Sequence, residues 1–233
     1  EESHFFTLFA AAMMSADKMT EPERKIGPLS YISRDEFDKS LRMLWGRIFS
    51  DLYACNPDAS IHVEKSPFHA LCLDQVIRLF PNCRILFVTR DSRAVASSLV
   101  HAGRTWGDYW APDTYRGAAL EWYRHVRSVM AWQARNPDHP FLRVRYEDAL
   151  ADTETELART LRFLLPKTAD LCVSETLETF EASGVMKRDP QGFSRLRGAE
   201  GWRQDMPLHG KLVTWRYTRK LMRELSYDIS LLR

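Results

Sequence analysis

The 233-residue sequence predicts an α/β domain with a central parallel sheet flanked by helices. Three observations carry that expectation. The run "RILFVT", Arg84 to Thr89, is almost continuously apolar, as a strand covered on both faces requires. A second strand-like run, "FLRVRY", Phe141 to Tyr146, is separated from it by a long helix-periodic stretch, which is what a parallel crossover needs. Helical patterns flank both runs, giving the alternation of an α/β fold.

The elements follow in order. "SRDEFDKSLRMLWGRIFSDLYA" opens with capping-box spacing, Ser33 and Glu36, and then sets Phe37, Leu41, Leu44, Ile48 and Leu52 at helical intervals. "IHVEK", Ile61 to Lys65, reads as a short strand stopped by Pro67. "FHALCLDQVIRLF" is a helix that ends at Pro81-Asn82. A helix over about Arg93–Ala102 follows the apolar strand, and "TYRGAALEWYRHVRSVMAWQARN" is a long amphipathic helix with Trp122 and Trp132 on its core side. "DTETELARTLRFLL" is a helix with Thr153 and Glu156 in capping-box spacing. Residues 168–182 are expected to be helical, 184–207 irregular and charged, and 209–225 a final helix.

Composition narrows the classes. Hydrophobic residues make up 45% and charged residues 27%, as in ordinary globular domains, and one domain over 1–233 is expected. A net charge of +2 argues against a nucleic-acid partner, which calls for a concentrated basic face. No apolar run reaches the roughly 18 residues of a membrane span. "HFFTLFAAAMM" is too short and has no basic leader, so neither a span nor a signal peptide is expected. Cys55, Cys72, Cys83 and Cys172 show no CxxC spacing and are read as free thiols, with a disulfide the alternative. His62, His69 and His101 with Glu64 lack a recognised ligand spacing, so no metal is expected.

Ligands on parallel sheets sit beyond the carboxyl ends of the strands. Lys65, Arg90 and Tyr146 end the three predicted strands. After Arg90 comes a helix start, with unpaired N–H groups and a positive dipole end, and Ser98 lies further along that helix. A guanidinium adds a bidentate, charge-assisted contact, so strand, Arg, helix and Ser together suit a dianion. The plainer alternative pairs Arg90 with Asp91 or Asp148. "GRTWGDYWAPDTY", Gly103 to Tyr115, is either the lining of an acceptor pocket or a packed loop.

The stretch "VEKSPFHALCLDQVIRLFPNCRILFVTRDSRAVASSLV" resembles the sulfotransferases that use 3′-phosphoadenylyl sulfate (PAPS), in particular the tyrosylprotein and heparan sulfate branches and their bacterial relatives. These share an E-K-x-P strand end, a helix, "FPN" or "FPD", an apolar strand, and an R-D pair followed by a serine. The resemblance implies a P-loop-type three-layer fold and assigns Arg90 and Ser98 to the cofactor's 3′-phosphate. "YEDAL" resembles a Y-E-D motif in which the tyrosine, here Tyr146, contacts adenine. "RLRGAEGW" resembles a late R-K-G loop that closes on the same phosphate; Arg197 and Gly198 match its K-G, while Leu196 stands where the first basic residue would be.

"EESHFF" resembles a K-E-x-H-F-F segment whose glutamate is the general base. Carried over, the base is Glu2 with His4 beside it; alignment with an E-E-T-R segment would promote Glu1 instead. Lys65 would steady the leaving oxygen. The family's loop for the 5′-phosphosulfate, G-x-x-R/K-S/T-G-T-T, has no counterpart here; N-terminal truncation, taking the first strand with it, is expected over true loss of the loop.

The implied activity moves a sulfuryl group from PAPS to a hydroxyl-bearing acceptor (sugar, tyrosine or small molecule), leaving 3′,5′-ADP, with no metal. A cytoplasmic setting is expected over a Golgi one. The rivals are a P-loop kinase, for which no Walker-type lysine loop is visible, and a non-catalytic nucleotide-binding module.

Overall fold

The computed structural model describes residues 5–55, 57–59, 61–166, 173–179 and 198–230. It is a mixed α/β structure, rich in helix, with one small parallel sheet among the described residues. The chain divides into two compact units, Glu1–Cys83 with Ser128–Arg135, and Arg84–Arg127 with Asn136–Arg233.

In the first unit, α1 (Phe5–Met19) buries Phe6, Phe9, Ala10, Met13 and Ala16, a stripe at helical spacing. The segment too short for a membrane span is thus an amphipathic helix. Two short 3-10 turns, Pro22–Arg24 and Pro28–Ser30, lead to α2 (Arg34–Ile48). The expected capping box is present: Ser33 Oγ accepts from the Glu36 amide at 3.2 Å, and Glu36 Oε2 accepts from the Ser33 amide at 2.9 Å. The helix breaks at Phe49 and resumes as α3 (Ser50–Cys55), where a single helix was expected.

Trp45 is the hub of this unit. Its ring lies 4.5 Å from Phe6, 4.3 Å from Phe49 and 5.5 Å from Phe80, and its Nε1 donates to Tyr53 Oη at 2.9 Å. Each such aromatic pair contributes about 0.5–1.5 kcal/mol beyond its buried area. A 3-10 turn, Pro67–Leu71, precedes α4 (Leu73–Leu79), so the helix expected over 68–80 is split at Cys72.

"IHVEK" forms no strand: residues 61–66 lack regular structure, with Val63 exposed. A strand exists only as part of a ladder, and no described segment pairs with this one.

The second unit carries the sheet. β1 (Ile85–Thr89) and β2 (Phe141–Arg145) pair in parallel, Ile85 opposite Phe141 through Thr89 opposite Arg145. The crossover contains α5 (Ser92–Gly103) and α6 (Tyr115–Arg135). The apolar run of β1 is not covered on both faces as expected: Leu86 is 37% and Val88 57% exposed, while Thr89 on the other face is buried. Alternate residues of a strand face opposite ways, and only one face meets packed side chains.

After β2 come α7 (Tyr146–Ala151), α8 (Thr153–Leu164), a helix over 173–179 (α9), α10 (Trp202–Asp205) and α11 (Leu208–Glu224). The cap of α8 is Asp152, which accepts from the Thr155 amide at 3.1 Å; Thr153, the expected cap, is already helical and donates to the Ala149 carbonyl. Asp152 is one residue better placed to reach the first-turn amides.

α11 packs on α5 through a buried hydroxyl seam. Ser92 Oγ lies 2.8 Å from Thr218 Oγ1, and Thr218 donates to the Thr214 carbonyl. Trp122 and Trp132 are buried, as expected.

Cys55, Cys72 and Cys83 are free thiols; Cys172 lies outside the described residues. Burial pushes the Cys72 thiol up to about 11, with the nearby Glu64 charge adding to it. No described helix is long and apolar enough to cross a membrane.

One buried ion pair organises the first unit. Arg78 grips Asp38 with Nε at 2.6 Å and Nη2 at 2.7 Å, and reaches Asp17 with Nη1 at 2.8 Å. Asp38 is 5% exposed. Arg78→Ala leaves that carboxylate buried and alone, and should lower stability by about 3 kcal/mol in urea denaturation. Arg78→Lys should recover only part, because an ammonium cannot make the fork.

Candidate functional site

The register of the sheet builds the site. Because the ladder ends with Thr89 opposite Arg145, the next residue on each chain leaves the sheet beside the other. Those residues are Arg90 and Tyr146, and the Arg90 guanidinium lies 4.4 Å over the Tyr146 ring. Arg90 Nη2 also reaches the Gly198 carbonyl at a long 3.4 Å. Gly198 has φ +65°, a left-handed conformation that glycine adopts without strain. Arg90, Tyr146 and Gly198 are therefore brought together; Arg197, expected beside Gly198, lies outside the described residues.

The plainer alternative for Arg90 does not hold among the described residues. The Asp91 carboxylate goes to Arg93 at 2.6 Å, and Asp148 stands 3.7 Å from Arg145. Among the described residues Arg90 has no ion pair, and its Nε is buried with no hydrogen-bond partner. A guanidinium with an orphaned donor, one long bond and no counter-charge fits an anion.

The backbone at this corner is fixed from two sides. Trp122 Nε1 donates to the Arg90 carbonyl at 3.0 Å, and the Asp91 amide donates to Glu147 Oε1 at 2.8 Å.

One expectation needs correction here. The start of α5 is not an open anion cradle: Asp91 Oδ1 accepts from the Arg93 amide at 2.7 Å, and residues 91–94 are all buried. The donors this corner leaves open are side chains rather than first-turn amides. Ser98 is exposed, about two turns up the same helical face as Asp91.

Lys65 belongs to the first unit, exposed in the irregular segment rather than at a strand end. It is followed by Ser66, whose Oγ accepts from the Phe68 amide. Beside it, Glu64 Oε2 stands 2.7 Å from His69 Nε2. Glu2 and His4 lie outside the described residues. Among the described residues no cluster of His, Cys, Asp and Glu is arranged to hold a metal ion. The Trp106 and Trp110 rings lie 5.5 Å apart, tilted by 51°, and Tyr109 is exposed.

The sequence reading passed over Arg93 and Glu147 and took Trp122 as a core residue, without its bond to the Arg90 carbonyl. An arginine two residues after the strand-end aspartate, inside a run of small buried residues, was the available signal for Arg93. Glu147 adjoins the tyrosine that was singled out.

The parallel pair of strands thus sets an arginine over an aromatic ring at its carboxyl end, the chemistry that an anionic, ring-bearing ligand would call for. The chain belongs to the sulfotransferase family, whose profile matches residues 6–168. Two relatives carry the name "Putative protein-tyrosine sulfotransferase". The one from Caenorhabditis briggsae is 30% identical over 100 residues, covering 43% of this chain and 35% of the relative. The one from Caenorhabditis elegans is 29% identical over 100 residues, covering 43% and 38%. A dog (Canis lupus familiaris) protein named sulfotransferase 1B1 is 28% identical over 93 residues, covering 36% and 30%. The chain thus spans about a third of the length of these relatives. No solved structure matches it significantly.

Beneath the rim, the Arg145 guanidinium lies 4.5 Å over the Tyr227 ring. Burial pushes the Tyr227 hydroxyl up to about 12. Thr89 and Arg145 lie near enough to oppose this, but make no well-formed hydrogen bond to it, and the Glu147 charge adds to it. The unfolded chain ionises its tyrosines near pH 10, so this residue's contribution to stability is present below that and lost as pH rises to about 12. Tyr227→Phe should flatten the loss of stability between those limits in denaturation series.

Proposed function

We propose that this chain is the core of a PAPS-dependent sulfotransferase with a P-loop-type three-layer fold, transferring a sulfuryl group to a hydroxyl-bearing acceptor. The observation that carries the reading is the uncompensated Arg90 guanidinium on the Tyr146 ring, in a chain of the sulfotransferase family. The donor supplies an activated sulfate on a nucleotide that bears an extra 3′-phosphate. Arg90 and Ser98 hold that phosphate, Tyr146 offers its ring to the base, and Arg197 and Gly198 close over it.

In the transfer, the acceptor oxygen bonds to sulfur while the bond from sulfur to the bridging phosphate oxygen breaks. The electron pair stays on that oxygen, where Lys65 stabilises the growing charge. Glu2, with His4 beside it, takes the acceptor proton. The names of the worm relatives favour a protein tyrosine as acceptor; a sugar or small molecule remains within the same chemistry. A cytoplasmic location is part of this proposal.

The test is calorimetry on the full-length protein. 3′,5′-ADP should bind at least about tenfold more tightly than ADP, since one charge-assisted contact is worth about 1.5–3 kcal/mol and 1.4 kcal/mol is tenfold. Arg90→Ala should erase that preference. Equal affinities in the wild type would favour a kinase-like or non-catalytic nucleotide binder and sink the donor assignment.

The base is tested by turnover. Glu2→Gln should lower turnover by about 10²–10⁴-fold with 3′,5′-ADP affinity unchanged. Full turnover in Glu2→Gln, with loss in Glu1→Gln, would move the role to Glu1.

A further inference from the structure

We propose that Arg93, three residues beyond Arg90, is the positioning residue that keeps the late segment Gly198–Trp202 over the 3′-phosphate site. The inference rests on the nucleotide reading above. Arg93 is 2% exposed. Its Nε donates to Asp91 Oδ1 at 3.0 Å and Oδ2 at 3.2 Å. Nη2 donates to Asp91 Oδ2 at 2.6 Å and to the Asp228 carbonyl at 2.6 Å, and Nη1 donates to the Ser230 carbonyl at 2.6 Å. Its guanidinium also lies 4.1 Å over the Trp202 ring. One side chain thus ties together the start of α5, the start of α10 and the segment after α11.

The consequence for the site follows from where those ties fall. The late segment is held to the β1–α5 corner at two points, Gly198 by Arg90 and Trp202 by Arg93. The hold on Gly198 is weak, a 3.4 Å contact to a neutral carbonyl. An anion accepting from Arg90 would displace it, because a charge-assisted bond outcompetes a neutral one. The hold on Trp202 does not use the ligand-facing guanidinium and survives that exchange. The segment therefore stays in place while Arg90 turns to the phosphate. A buried Arg–Asp pair is a costly way to fill a core, and this one joins the β1–α5 corner to the start of α10 and to the segment after α11.

The experiment compares 3′,5′-ADP with 5′-AMP, which differ only in the 3′-phosphate, by calorimetry on the full-length protein. The samples are wild type, Arg93→Lys and Trp202→Phe, each checked by thermal denaturation to be folded at the titration temperature. Arg93→Lys keeps the charge but loses the planar fork and its stack. It should weaken 3′,5′-ADP about tenfold while leaving 5′-AMP unchanged, with a smaller shift in the same direction for Trp202→Phe. Equal weakening of both ligands, or of neither, in both variants overturns the positioning role and reduces Arg93 to a core residue. If the wild type itself fails to favour 3′,5′-ADP, the donor assignment falls and this proposal with it. If the wild type favours it and both variants keep the preference, only the positioning role falls.

Discussion

The second unit depends on one register. Five parallel pairs bring β1 and β2 to an end at the same level. Arg90 and Tyr146 are far apart in sequence but emerge as neighbours, guanidinium over ring. A slip of one residue would turn one of the two to the opposite face of the sheet and break that stack. The stack matters because a guanidinium resting on an aromatic face keeps its edge donors available to a ligand. The corner is braced by the Trp122 indole on one carbonyl and the Glu147 carboxylate on one amide.

Charge at this corner is sorted by burial. Arg93 and Asp91 neutralise one another in the interior, with two backbone carbonyls taking further donors of the guanidinium. Arg90, one residue before that aspartate, has no such partner among the described residues. Two arginines on one short stretch thus serve opposite ends, one fixing the framework and the other facing outward. The sorting explains why the Asp91 side chain does not quench Arg90: its oxygens are committed to the Arg93 fork and to the Arg93 amide. The same commitment occupies the Arg93 amide at the helix start, so the exposed donors of this corner are side chains.

The first unit is built differently, from rings packed around Trp45 and the Arg78 fork on Asp38. Lys65 sits there in a segment without ladder bonds, so no strand end fixes its direction. The arginine sites of the second unit are held by backbone hydrogen bonds on both sides, and this difference separates a framed position from an exposed one.

Much of this was legible in the sequence for a local reason. The capping box at Ser33, the helices before and after β1, and the strands at 85–89 and 141–145 follow from short-range periodicity and cap chemistry, which act within a few residues. Arg90 and Tyr146 could be picked out because the strand boundaries themselves mark the ends where ligands bind. The tertiary structure alone decided what those residues meet. It paired Asp91 with Arg93 instead of Arg90, seated Arg93 on Trp202, moved the cap of α8 to Asp152, left Leu86 and Val88 exposed, and formed no strand from "IHVEK". Most of these outcomes turn on partners distant in the chain or on space left by packing, and a ladder or a buried pair exists only when its second member arrives.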